Sequence, residues 1–128
     1  MRAYLPISHD ELAAFLNSGS KELESILAPT PFYVGENEDL GEEEIEYLLS
    51  LEAAQSALEL RSSNKAPGIV LAIELEAKQV NTVNENSVSL NSAITWEQVQ
   101  CALLLFPDEE ELIWFATQEI EINMGAWK

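Results

Sequence analysis

Glu111-Leu112-Ile113-Trp114-Phe115-Ala116-Thr117-Gln118-Glu119-Ile120 is the stretch on which the reading of this chain turns. It is apolar and aromatic as far as Ala116 and becomes polar at Thr117. Side chains as large as Trp114 and Phe115 need a built core around them. Read as a strand, the segment sends those two rings to opposite faces of a sheet. The segment before it supports that reading. Val99 to Phe106 reads as a buried strand, and Pro107-Asp108-Glu109-Glu110 as a tight acidic connection, so the two strands form an antiparallel hairpin. A helix over Thr95–Leu105 is the competing reading, because Thr95 and Gln98 have the spacing of a capping box.

Further from this hairpin, Ile69-Val70-Leu71-Ala72-Ile73-Glu74-Leu75-Glu76 is the clearest strand. It is continuously apolar at first and then alternates. Arg2 to Ile7 is a shorter strand, with Pro6 expected at a sheet edge or at the strand's end. Ser8-His9-Asp10-Glu11 has the capping-box pattern, and Leu12, Ala13, Phe15 and Leu16 follow at helical spacing until Gly19. Lys21–Leu27 reads as a short amphipathic helical turn, and Phe32-Tyr33-Val34 as a brief strand or packed loop. Gly35–Gly41 is an exposed loop whose glycine spacing does not fit a calcium-binding loop. Glu42-Glu43-Glu44 opens the longest helix, where three acids favour the helix dipole. It is expected to run to about Arg61, with Tyr47, Leu51, Ala54 and Leu58 as its apolar stripe, widened by Ile45, Leu48 and Leu49. Gln79–Ser87 reads as loop, Val88-Ser89-Leu90 as a short edge strand, and Trp96-Glu97-Gln98 as a single turn capped by Thr95. The elements add up to an α+β domain spanning residues 1–128: a mostly antiparallel sheet of about four or five strands with two main helices packed on one face. Residues 121–128, with Met124 and Trp127, form a tail that either docks or stays free for a partner.

The charge balance is unusual. Six Lys and Arg face 23 Asp and Glu, a formal net charge of -17, while the hydrophobic fraction of 47% is that of an ordinary globular chain. Such a surface repels phosphate backbones and anionic lipid heads, which disfavours direct nucleic-acid or membrane binding, and it attracts basic partners. Solubility alone is the plainer explanation of the charge. Cys101, the only cysteine, sits in an apolar run with no cation near it in sequence, as a buried structural thiol does. The absence of a disulfide framework fits a reducing cytoplasm. No apolar run reaches the ~18 residues of a membrane span. His9, the only histidine, falls inside a helix cap and is expected to be exposed.

No nucleophile elbow, phosphate loop, paired cysteines or metal-ligand spacing occurs, so no catalytic residue, metal or cofactor is assigned. The candidate binding residues are Thr117, Gln118 and Glu119, where the aromatic strand turns polar, with Glu46 and Tyr47 on the long helix and Trp114 beside them. A close pair such as Glu46 and Glu119 would raise one carboxyl pKa and hold a proton or a cation. The plainer role of Gln118 and Glu119 is to satisfy backbone groups at a turn or helix start.

Tyr4-Leu5-Pro6, Thr30-Pro31, Glu42-Glu43-Glu44-Ile45-Glu46-Tyr47 and Leu112 to Ile120 together resemble an uncharacterised family of small actinobacterial proteins. Their order and spacing fit across nearly the whole chain. The run Trp114-Phe115-Ala116-Thr117-Gln118-Glu119-Ile120 is its most specific part. Pro107–Glu110 stands where the family carries a longer, Ala-rich segment. The resemblance implies a cytoplasmic bacterial protein and carries no known activity. The function expected from composition is a non-catalytic binding or regulatory module, monomeric or homodimeric, that engages a basic protein. A small enzyme or ligand-binding domain using Thr117, Gln118, Glu119, Glu46 and Tyr47 is the alternative, and a nucleic-acid mimic is a variant of the first reading.

Overall fold

Ile69 to Ile73 carries five consecutive apolar side chains, and a strand of that kind must be covered on both faces. A computed structural model describes residues Met1–Lys128 and meets this demand directly. The chain runs β1 (Arg2–Ile7), α1 (His9–Ser18), β2 (Ser20–Lys21), β3 (Ser25–Leu27), α2 (Pro31–Glu36), α3 (Glu42–Leu58), β4 (Gly68–Glu74), β5 (Val80–Val83), β6 (Ser87–Leu90), β7 (Ile94–Thr95), β8 (Val99–Leu105), β9 (Ile113–Ala116) and α4 (Thr117–Asn123), with short 3-10 turns at 77–79, 96–98 and 124–127. The fold is α+β. Seven antiparallel strands form one sheet in the order β5-β6-β3-β1-β4-β8-β9, and β2 pairs with β7 in a small second sheet.

Two cores result, one on each side of the large sheet. Ala3, Leu5, Ile7, Leu71, Ile73 and Leu104 face α1 and α4, meeting Leu12, Phe15 and Ile120. Tyr4, Val70, Ala72, Cys101 and Leu105 face α3, meeting Ile45, Leu49, Ala53, Ala54 and Ala57. The expectation of two main helices on one face is thereby corrected: α1 and α3 lie on opposite faces, because β4 exposes apolar side chains both ways. The sheet is also larger than the four or five strands expected. The extra strands, β3 and β5, are short, and they lie where a helical turn at Lys21–Leu27 and a loop at Gln79–Ser87 were expected. The polar residues of β5 hide no alternating apolar pattern, because β5 is itself a sheet edge.

Other boundaries shift for local reasons. Phe32 to Val34 lie in α2, started by Pro31 at its first position and by Thr30, whose hydroxyl accepts from Tyr33 N–H at 3.2 Å. α3 ends at Leu58, and Arg61 folds back to donate from Nε to the Leu58 carbonyl at 2.8 Å. Its buried stripe is Ile45, Leu49, Ser50, Ala53, Ala54 and Ala57, so Tyr47 points outward. Pro6 sits inside a central strand. Its ladder with β4 is complete, and only one pair, Tyr4 with Leu27, joins β1 to β3. The hairpin of β8 and β9 and the cap on α1 are as expected. Ser8 Oγ accepts from Glu11 N–H at 3.1 Å and donates to its carboxylate at 3.0 Å. Lys21, hydrogen-bonded to Glu11 at 2.9 Å, is the main cause that holds this carboxyl below the usual range.

The strand reading of the aromatic stretch holds only through Ala116, since Thr117 starts α4. The tail is docked: Trp127 is buried edge-to-face against Phe115, with ring centroids 5.1 Å apart. His9 is buried too, and its Nε2–H donates to the Met124 carbonyl at 2.8 Å. No helix is long and apolar enough to cross a membrane.

Alanines on α3 let the helix come close to the sheet, and Gly68 completes the fit. A Cβ there would lie 3.1 Å from the Leu58 backbone nitrogen and 3.2 Å from the Ala57 carbonyl carbon. Gly68→Ala is therefore expected to destabilise the fold by about 1–3 kcal/mol through overpacking. Gly125→Ala, with open space around it, is expected to stay within about 0.5 kcal/mol of the parent. Chemical denaturation of the two variants checks both outcomes.

Candidate functional site

Side-chain alternation places Arg2 and Tyr4 on the α3 side of β1. Across the sheet, Tyr4 registers with Ala72 and Ala72 with Cys101. Ala72 is too small to separate its neighbours, so residues from β1 and β8 meet over it. The Arg2 guanidinium reaches Cys101 Sγ at 3.4 Å, joining residues 99 apart in sequence. These side chains form the floor of a groove of about 290 Å³. Glu43, Glu46, Tyr47 and Ser50 of α3 make one wall, and Leu103, Leu112 and Trp114 the other.

The electrostatics of the groove are uneven. Arg2 has no carboxylate within ion-pair distance, and its Nε is buried without a hydrogen-bond partner. An unmet buried donor costs about 1–3 kcal/mol. Glu43 and Glu46 outnumber this single cation. Tyr4 feels all of it: burial pushes its phenol up to about 12, Glu46 adds to the rise, and Arg2 opposes it. Beyond the groove, Tyr33 on α2 is likewise held up at about 12, first by burial and then by Glu52 and Glu36. Its hydroxyl has no hydrogen-bond partner in good geometry.

Exposure separates this groove from ordinary core. Tyr47 is 51% and Trp114 59% exposed. Two large aromatic side chains thus stand open to solvent beside two carboxylates. Depressions of about 380 and 480 Å³ flank the same N-terminal half of α3, lined by Leu40 and by Glu42, Glu43, Glu44 and Glu46. A larger depression of about 620 Å³ is lined by Phe106, Asp108, Glu109 and Ile113, but it also holds Lys65, a cation beside its two carboxylates.

The structure therefore brings together Glu46, Tyr47 and Trp114 and leaves Thr117, Gln118 and Glu119 outside the groove. Thr117 Oγ1 donates to the Val99 carbonyl at 2.9 Å, and Glu119 Oε1 accepts from Ala116 N–H at 2.9 Å, which caps α4. Gln118 is exposed at the start of that helix. Arg2, Tyr4, Glu43 and Cys101 are among the groove residues that sequence reasoning missed. Arg2 and Tyr4 share a face by strand alternation, but their meeting with Cys101 depends on strand order, which no local pattern carries.

No group of three or more His, Cys, Asp or Glu side chains is arranged to hold a metal ion. The groove holds aromatic faces, carboxylates and one guanidinium. Residues 1–104 match a family described as "Family of unknown function (DUF6912)", and the chain belongs to it. The match takes in the groove residues of β1, α3 and β8 and stops short of Leu112, Trp114 and the motif that follows. No curated protein and no solved structure matches the chain.

The two raised phenols give a pH signature. Both stay neutral in the folded protein up to about 12 and ionise near 10.0 once unfolded. Their stabilising contribution is complete below about pH 10 and is lost as pH rises through about 12. Denaturation followed from about pH 9 to about pH 12 is expected to show a falling stability. Tyr4→Phe and Tyr33→Phe should each flatten part of that fall, and an unchanged slope in both variants would contradict the assignment.

Proposed function

We propose that the protein is a non-catalytic binding module of the cytoplasm, and that the groove between α3 and β9 takes a basic side chain, Lys or Arg, from a partner protein. The observation that carries this reading is the exposed pair Tyr47 and Trp114 set beside Glu43 and Glu46. Exposed Trp and Tyr side chains are enriched at the centres of protein interfaces. An aromatic face and a carboxylate together attract an ammonium or guanidinium group. Across the molecule only Glu11, Glu74 and Glu76 of the 23 acidic side chains have an ion-pair partner. The remaining negative charge steers a basic partner and keeps nucleic acid away. Arg2 at the floor repels a cation that enters deeply, so the basic side chain is held at the mouth of the groove by the carboxylates and the two rings.

Thr117 and Glu119 are engaged in capping and backbone hydrogen bonds, which takes support from the reading of a catalytic or ligand cluster there. The test is recovery of a partner from native cell extract at low salt. The wild-type chain is expected to retain a basic protein that elutes as salt rises. Glu43→Gln with Glu46→Gln, and separately Trp114→Ala, are expected to weaken retention by about tenfold or more, since rim charges and a central aromatic each contribute about 1–2 kcal/mol. Equal retention by folded variants, or a partner that does not respond to salt, would overturn the proposal.

A further inference from the structure

The two edges of the seven-stranded sheet are built differently. β5 is protected: its register against β6 shifts between Val80 and Val83, and Asn81 and Thr82 are polar. β9 is as short as β5 but has no bulge, edge charge or proline. Its register with β8 is unbroken from Ile113 to Ala116, and it contains no charge and no proline. Ile113 and Trp114 are 45% and 59% exposed. Its outer backbone edge is unpaired, because β9 ends the strand order.

The surrounding charge decides what fits. Asp108 to Glu111 precede β9, and Glu119 and Glu121 follow it, all exposed. A second copy paired antiparallel on β9 would bring acids against acids at both ends. A basic strand meets complementary charge at those same ends. The pleat adds a second requirement. Side chains of an added strand on the α3 side would lie beside the exposed ring of Trp114, a face that attracts a basic group. Those on the other side would lie beside Ile113 and Phe115, which are apolar.

We propose that β9 binds an extended segment of a partner protein by strand addition, and that this segment alternates basic and apolar residues. The inference rests on the proposed basic partner and states how it docks. Main-chain hydrogen bonds along the edge hold the segment, and the alternating side chains give it specificity.

The experiment uses the full chain and a panel of synthetic peptides of about ten residues that alternate Lys or Arg with Val, Ile or Thr. Titration calorimetry at low salt is expected to show binding by these peptides and none by versions with Glu in place of the basic residues. Methylating alternate backbone nitrogens in the peptide leaves its charge intact and removes edge hydrogen bonds. Methylation of one of the two alternate sets is expected to weaken binding by about tenfold or more. Amide exchange at residues 113–116 should slow when the unmethylated peptide binds. If basic peptides bind, but methylation of neither set matters and exchange at β9 is unchanged, strand addition is wrong and the acidic groove stands. If no basic peptide binds, the groove reading falls with it. If the free protein pairs with itself through β9, the edge is a homodimer contact and the proposal is overturned.

Discussion

A strand that is apolar on both faces cannot lie at the surface of a two-layer fold. β4 imposes that constraint on everything around it. Its residues Ile69, Leu71 and Ile73 require cover from α1 and the C-terminal segment, and Val70 and Ala72 require α3. The chain satisfies both by placing β4 near the middle of the sheet and a helix layer on each side. The close approach of α3 follows from its alanines and from Gly68, where a larger side chain would strike the helix backbone. Because α3 is centred on β4, β1 and β8, it does not extend over β9. Trp114 is left at the rim of the helix layer, and the groove is the space between them.

The same placement explains the electrostatics. An N-terminal helical turn rich in glutamate is stabilised by the helix dipole wherever it lies. Here it lies beside exposed aromatic side chains, so charges with a sufficient structural reason also shape a surface. Arg2 is the opposite case. Its guanidinium donates to the Cys101 thiol but keeps a buried Nε without a partner, which costs stability, and it is one of only six Lys and Arg in the chain.

Much of the architecture was legible from residue patterns. The cap at Ser8, the glutamate start of α3, the apolar run of β4, the turn at Trp96–Gln98 and the hairpin of β8 and β9 all have strong local signals. What was not legible was strand order and the partition of helices between faces. The apolar continuity of Ile69–Ile73 does carry that information, since it means burial on both sides, but only if it is allowed to override the count of amphipathic helices. β5 was hidden because a short polar edge strand looks like a loop, and β3 because three residues are too few to show alternation and Leu23, Ile26 and Leu27 also have helical spacing. At the site, Glu46, Tyr47 and Trp114 share a groove because of tertiary packing. Glu119 takes the plainer role the sequence offered, a backbone partner at a helix start, and Thr117 is held by the Val99 carbonyl. His9 was misjudged for a related reason: its partner is a carbonyl 115 residues away.

The account stands on the claim that the face around Trp114 is where a basic partner sits. Site-specific photocrosslinking in native cells tests it most directly, with the crosslinker placed at position 114 and, as a control, at Ile122. Ile122 is the most exposed large apolar side chain, at 83%, and it lies on α4. Crosslinking of one basic protein from position 114 and none from position 122 is the outcome the account predicts. Equal crosslinking from both positions, or a product at 122 alone, would contradict it.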